Sequence, residues 1–479
     1  IATAGHVDHG KTSLIRQLTG VETDTLAEER ERGLSINLGY AYLPKPQGTP
    51  LGFIDVPGHQ RFINTMISGI SGIDMGLLVV AADDGPMPQT IEHLDVLDIL
   101  GVEQLTAVIS KTDRASEARI REVTGQTREL LAASRWQDTA FFPVCNQDGS
   151  GVDVLQHYLI QHAEQLRKQR TGGGFRLSID RCFTARGSGL VVTGTASAGT
   201  VKKGDKLFLL PTRLEVRVRG LRAHDRNADT AEAGQRVALN LSGKIEKSAI
   251  ERGDWLVIPE CALSSSRLDV AFSLLPGAPF PLKHLAPVKL YIGAKRVAAR
   301  LAIVEGAEGR LHPGDRCLAQ LILENPVSAV HGERFLLRDQ AENVILGGGM
   351  VLDPQGPKYG KSRPGRLAWL NAMQLPSANE SLASLIEQEQ LVDLDRFWAI
   401  RNHPGIPGEA DLPSNAKSFE GEGRHWAVAQ SQWSKAVQQC RQLIDSWHQM
   451  HPSSPGVRMT ELKPALAQVM APPLAMAVL

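Results

Sequence analysis

The sequence has few cysteines, no imbalance of charge and no long apolar run, and the first and last of these lacks each remove a class of protein. Its 479 residues hold five cysteines, Cys145, Cys182, Cys261, Cys317 and Cys440, with no CxxC pair among them. That odd, scattered set suits neither a zinc site nor a disulfide framework, and points to a reducing compartment. Lysine plus arginine equal aspartate plus glutamate at 52 each, so the total charge argues neither for nor against nucleic acid. No stretch approaches the roughly 18 apolar residues of a membrane helix, and no signal segment leads the chain. A cytoplasmic protein without membrane contact is expected. Ile1 enters a strand directly and the tail Pro472 to Leu479 stops within an apolar run, so a longer natural protein is expected as well.

The remaining composition, 42% hydrophobic and 22% charged, is that of an ordinary globular protein with chain enough for several domains. Within residues 1–170, short apolar runs (Ile1–Ala4, Leu51–Asp55, Gly76–Ala82, Leu105–Ser110, Phe141–Cys145) alternate with helical patterns. Those patterns run over Lys11–Thr19, Phe62–Ile70, Gln89–Leu100, Glu117–Ala133 and Val152–Leu166. Such alternation predicts an α/β domain with a mostly parallel sheet. Thr171-Gly172-Gly173-Gly174 reads as a linker. Beyond it the period becomes two, and Gly-Asp turns recur at Gly204-Asp205, Gly253-Asp254 and Gly314-Asp315. Two β-barrel domains are expected, 172–260 and 266–355. Residues 365–479 carry five of the seven tryptophans among helical segments (Glu380–Gln390, Ser431–Gln449, Met459–Val469) broken by Pro/Gly loops, a pattern that suits winged-helix-type modules. Those tryptophans read as helix core. The basic stretch Pro357 to Arg366 reads equally as an RNA-phosphate track or as a charged linker.

Three motifs carry chemistry. Gly5-His6-Val7-Asp8-His9-Gly10-Lys11-Thr12 matches GxxxxGK[ST] between a strand and a helix. Its backbone from Asp8 to Ser13 should cradle phosphates at the helix amino terminus. Lys11 should reach the β- and γ-phosphates, and the Thr12 hydroxyl a Mg²⁺ ion. Asp55-Val56-Pro57-Gly58-His59 ends the next strand; Asp55 can hold Mg²⁺ through water, and Gly58 can offer its N–H to a γ-phosphate. Ser110-Lys111-Thr112-Asp113 stands in the place of an NKxD guanine reader. The Asp113 carboxylate can accept from guanine N1–H and the 2-amino group, which adenine does not match, so GTP/GDP is the expected cofactor. Ser110 replaces the usual asparagine and loses an anchoring amide. Cys145 and Asn146 fall where a further base contact would lie. In Glu31-Arg32-Gly33-Leu34-Ser35-Ile36, the Ser35 hydroxyl can close over Mg²⁺ and leave with the γ-phosphate.

Together these motifs resemble the translational GTPases, the group that contains elongation factor Tu. The resemblance implies that His59 orients the attacking water once the ribosome positions it, and that Asp8 helps hold a monovalent cation. The phrases Ile36 to Ala41, Gly52 to His59, Leu177 to Phe183 and Gly189 to Thr195 look like the selenocysteine-specific branch of that group. That branch implies selenocysteyl-tRNA and the ribosome as partners of a monomeric factor, with a selenoprotein mRNA hairpin held by C-terminal modules absent here. It also implies a selenocysteine pocket at Asp180, Arg181 and Arg236, whose fixed cations would attract a selenolate. The competing readings are the GTP-driven accessory subunit of a sulfate-activating enzyme, and an initiator-tRNA-binding factor.

Overall fold

The computed structural model describes every residue except 25–34, 36, 46–49, 60–62, 71, 167–171, 186–188, 225, 307–308, 389–390, 407 and 409–411. Residues 31–34 and 36 around Ser35, Phe62, Thr171 of the linker, Glu389 and Gln390 therefore lie outside the described residues. In the first domain, β1 (Ala2–Ala4), β2 (Gly39–Leu43), β3 (Leu51–Asp55), β4 (Met75–Ala81), β5 (Gln104–Ser110) and β6 (Ala140–Pro143) form one sheet. Their order is β2-β3-β1-β4-β5-β6, parallel throughout except where β2 runs against β3. All seven residues of β4 are buried, as a strand covered on both faces requires, and its composition is accordingly a continuous apolar run. The helix Lys11–Thr19 begins at Gly10 and stops at Gly20, both left-handed with φ of 86° and 73°. Glycine tolerates that conformation without steric penalty.

The second domain winds β7 (Arg176–Ala185), β8 (Gly189–Ala198), β10 (Lys206–Leu210), β11 (Leu214–Ala223), β14 (Arg236–Ser242) and β15 (Trp255–Val257) into a ring. It runs β10-β15-β7-β8-β14-β11, and a β10–β11 pairing closes it. Along β14 the burial alternates, so Val237, Leu239 and Leu241 enter the barrel core while Arg236 lies outside it. The third domain is a closed barrel of β16 (Ser265–Leu274), β18 (Ala286–Ile292), β19 (Lys295–Glu305), β21 (Arg316–Val327), β22 (Arg334–Asp339) and β23 (Ile345–Asp353), packed around residues such as Phe272, Leu290 and Phe335. Closure leaves these main strands without free edges. The Gly-Asp turns share one device. Asp205, Asp254 and Asp315 each accept the backbone N–H three residues back, from Lys202 (2.8 Å), Glu251 (2.8 Å) and His312 (2.7 Å).

After the third domain come helices Pro364–Ala372, Ala378–Glu387 and Leu394–Ala399. A small sheet of β24 (Val392–Asp393), β25 (Ala416–Gly421) and β26 (Arg424–Ala429), ordered β24-β26-β25, completes a winged-helix arrangement. Ser377 and Glu380 form a capping box at the start of the second helix. Phe397 and Trp398 belong to a core that also takes in Leu318 and Leu352 of the third domain, so module and barrel pack as one. Arg366, one of the cations of the basic stretch, is turned inward. It donates from Nη1 to Asp353 at 2.8 Å and from Nε to Asp269 at 3.0 Å, and both carboxylates are fully buried. That arginine is therefore unavailable to an RNA phosphate. The module also grips the linker after the first domain: Gly174 N donates to Asn402 O, and Asn402 Nδ2 to Gly174 O, each at 2.6 Å.

Candidate functional site

The loop between β1 and the helix Lys11–Thr19 lies at the carboxyl end of the sheet, where parallel sheets place ligands. Asp8 is left-handed at φ 63° and Gly10 follows at 86°, a backbone course that turns successive N–H groups toward a common centre. At Gly5 a Cβ would collide with the Val79 carbonyl on β4, so the strand approach itself demands glycine. The helix Pro88–Ile99 braces the loop from outside. Its His93 Nδ1 accepts Gly5 N–H (3.1 Å) and its Gln89 Oε1 accepts Val7 N–H (3.2 Å). Burial pushes His93 down to about 3, which keeps its ring neutral and an acceptor. Sequence reasoning missed both residues; their spacing of four on one helix was the available signal.

Asp8, Gly10, Lys11, Thr12, Ser13, Ser35, Gly58, Lys111, Asp113 and Asn146 line one cavity of about 880 Å³. Lys11 is buried at its floor, with Nζ donating to His6 O (2.7 Å) and Gly5 O (3.1 Å). Burial lowers its pKa to about 8. Gly58 sits against it, and a methyl added there would meet the Lys11 ammonium and Val7 N. His59 follows Gly58 and is half-buried.

Four of the residues singled out from the sequence stand behind the cavity wall. Asp55 is buried and accepts from Thr23 Oγ1 (2.7 Å) and Thr3 Oγ1 (3.2 Å). Burial raises its pKa against these bonds and the Lys11 charge. His9 points into the sheet, with Nδ1 3.3 Å from Val79 O, and burial lowers it to about 4. Ser110 is buried and donates to His9 O at 2.6 Å. Cys145 commits its backbone N–H to Ser150 O (3.0 Å), while its thiol donates to Asp113 Oδ1 at 3.4 Å. The thiol thus orients the carboxylate that can read guanine. Lys111 is left-handed at φ 54°, and its ammonium lies 3.7 Å from Asp83.

Thr12 Oγ1 lies 3.1 Å from Ser35 Oγ, which donates to Asp24 Oδ1 at 2.8 Å. Asp24 also lines the cavity and was not singled out in the sequence. With Asp55 hydrogen-bonded to Thr12, this is a set of hydroxyl and carboxylate oxygens. Such hard donors fit Mg²⁺ rather than a soft metal.

The three residues of the second proposed site lie where the second domain meets β2. Arg236 forms a two-pronged pair with Asp180, through Nη2 to Oδ1 at 3.1 Å and through a shorter Nη1–Oδ2 contact. Thr193 Oγ1 (2.6 Å) and Tyr40 OH (3.4 Å) also donate to Asp180. The Arg236 guanidinium stacks on Tyr40, 3.6 Å from its centroid. Burial alone would raise the Asp180 carboxyl, but Arg236 more than offsets it and holds it below the usual range. Arg181, past a bulge between Ile179 and itself, is exposed. Asp180 therefore cancels one of the two arginine charges. Tyr40 is the neighbour of Gly39, which pairs with Asp55 in the sheet; one strand joins the two sites.

A P-loop domain followed by two closed barrels defines a translational GTPase. Residues 1–165 match the family model of the elongation factor Tu GTP binding domain, and 189–257 that of elongation factor Tu domain 2. Residues 268–358 match the β-barrel domain of selenocysteine-specific elongation factors, which sets aside the sulfate-activating and initiator-tRNA readings. The chain is 38% identical to the selenocysteine-specific elongation factor of Escherichia coli (strain K12), over 95% of its own length and 71% of that protein's. It is 39% identical to the one of Desulfomicrobium baculatum, over 75% of its length and 56% of that protein's. The crystal structure of a bacterial selenocysteine-specific elongation factor, EF-Sec, superposes with a TM-score of 0.78 at 28% identity, covering 97% of this chain and 75% of that one. The chain belongs to the selenocysteine-specific elongation factor family. Among the described residues no helix is long and apolar enough to cross a membrane.

Proposed function

We propose that the chain binds selenocysteyl-tRNA in its GTP form, carries it to the ribosome as a cytoplasmic monomer, and hydrolyses GTP there. In that reaction water attacks the γ-phosphorus, the bond to the β–γ bridging oxygen breaks, and GDP and phosphate leave. Asp113, oriented by Cys145, selects guanine; Lys11 and the N–H groups from Asp8 to Ser13 hold the phosphates. Thr12 and Ser35 would hold Mg²⁺, with Asp55 behind them, and the ion would supply positive charge beside the phosphates. His59 orients the water. Because a methyl at Gly58 would meet the Lys11 ammonium and Val7 N, Gly58→Ala should displace the phosphate machinery and weaken GTP and GDP alike, each by about tenfold or more. Unchanged affinity for both nucleotides in a competition titration would take Gly58 away from the phosphates.

The observation that carries the selenocysteine assignment is the Asp180–Arg236 pair stacked on Tyr40 beside exposed Arg181. A selenol ionises well below a thiol, so at neutral pH the aminoacyl group carries a negative charge that serine lacks. One net positive charge remains at the pair plus Arg181, and it favours that anion. Arg181→Ala should lower the ratio of selenocysteyl- to seryl-tRNA affinity about tenfold, the scale of one partly exposed charge contact. Arg236→Ala should cost more, because it also strips Asp180 of its partner. The readout is protection of each aminoacyl-tRNA from deacylation by the GTP-loaded chain; an unchanged ratio in both variants removes the pocket.

A further inference from the structure

Ser110 lacks the amide that a guanine-reading motif carries at its first position, and the structure brings an amide to the same place from another loop. Asn146, beyond β6, turns its side chain onto the start of the helix Lys11–Thr19, where Nδ2 donates to Gly10 O at 3.1 Å. The same oxygen accepts Leu14 N–H at 2.9 Å and opens the helix. Asn146 O in turn accepts from Gln17 Nε2 at 2.7 Å, so the residue holds the helix at two points. One residue earlier, Ser110 Oγ secures His9 O. A Cβ built on Gly10 would stand 3.0 Å from Asn146 Nδ2 and 4.0 Å from Ser110 Oγ; the two side chains hold the two successive peptides that flank Gly10. Asn146 Oδ1 is buried without a partner among the described residues. A buried acceptor of that kind weakens a fold, so packing alone does not account for an amide here.

We infer that Asn146 is a positioning residue for the nucleotide, dividing with Ser110 the task of the missing asparagine. Ser110 ties the phosphate loop to β5, and Asn146 ties it to the base loop. Asn146 adjoins Cys145, whose thiol holds Asp113, so this tie sets the spacing between the phosphate cradle and the guanine reader. A nucleotide spans both, and loosening the tie releases GDP and GTP alike. This rests on the guanine-nucleotide site proposed above.

The test measures dissociation of fluorescent GDP and of a non-hydrolysable fluorescent GTP analogue from the full chain. Asn146→Asp is isosteric but turns an acceptor toward Gly10 O. Both nucleotides should leave about tenfold faster, or about 1.4 kcal/mol. Asn146→Ala should do the same, and Ser110→Asn added to it should restore the rate to within about threefold, its amide taking the vacated space. A rate unchanged in Asn146→Asp, a change confined to the GTP analogue, or no restoration by Ser110→Asn overturns the inference while leaving the site intact. If the unaltered chain binds no guanine nucleotide, the site and the inference both fall, and that is visible before any variant is made.

Discussion

Lys11→Ala should all but abolish nucleotide binding. The Lys11 ammonium lies at the bottom of the cavity with two backbone carbonyls as its partners. Burial has already stripped most of its water, which lowers its pKa to about 8. An arriving triphosphate therefore meets a cation whose desolvation is largely complete, and the gain per contact exceeds that of a surface lysine. Two charge-assisted bonds to phosphate at about 1.5–3 kcal/mol each correspond to roughly 10²–10⁴ in affinity. Lys11→Met separates this loss from misfolding. It fills the slot with a flexible apolar chain; losing the donor to His6 O and Gly5 O costs stability and removing a buried charge returns it, so the two effects largely cancel. The expected result is a nearly unchanged melting temperature without nucleotide, together with a fluorescence titration that does not saturate. A variant that still binds GDP at wild-type affinity would take Lys11 away from the phosphates.

The parts of the molecule legible in the sequence are those whose cause is local. The helix Lys11–Thr19 and the strand Leu51–Asp55 stand where the pattern put them, because a glycine at each helix end and an apolar run are visible within a few residues. Strand β2 carries a weaker signal, since only Gly39, Ala41 and Leu43 are buried along its five residues and two of these are small. The winged-helix type is legible in the C-terminal module, but the strands of its three-stranded sheet are not. β24 has only two residues, and Phe419 and Trp426 face each other across β25 and β26 rather than along a helix. Five tryptophans at irregular spacing suggested helices because nothing in a single sequence pairs one strand with another.

The site divides on the same line. Contiguous motifs supplied the cavity lining, while the residues that hold the motifs together come from far away. His93 and Gly5 are 88 positions apart, Ser110 and His9 101, Asn146 and Gly10 136. Asp180 and Arg236 stand 56 positions apart, so their pairing is a fact of two strands flanking β8, and Tyr40 reaches them from a different domain. The pair changes the electrostatic argument: two fixed cations become one net charge, and Arg236 becomes as much a support for Asp180 as a ligand.

Asp353→Ala should release the C-terminal module from the third domain, and it carries the largest stability effect expected in the chain. Asp353 is fully buried and accepts from Arg366 Nη1 (2.8 Å), Arg396 Nη2 (2.5 Å) and Gln355 N (2.9 Å). Arg366 also spans to Asp269, which Gln320 Nε2 supports at 2.7 Å. Removing the shared carboxylate leaves two arginines without their common partner, and breaking a buried pair costs about 3–5 kcal/mol. Burial alone would raise the Asp353 carboxyl, yet Arg396 and Arg366 more than offset it and hold it below its ordinary range. A depressed folded pKa gives stability that is present above the unfolded value near ~3.9 and lost as pH falls through the folded value. The contribution of Asp353 to docking should thus be flat from neutral pH down to mildly acidic pH and vanish only in strong acid, whereas Asp353→Asn should lack it at every pH. The measurement is amide hydrogen exchange over the helix Pro364–Ala372 and the linker at Gly174. Because Asn402 of the module clasps Gly174, an undocked module must also free the joint between the nucleotide domain and the first barrel. Protection lost in the helix but kept at Gly174 would show that the linker is held by the barrels alone, and that the module has no lever on the switch.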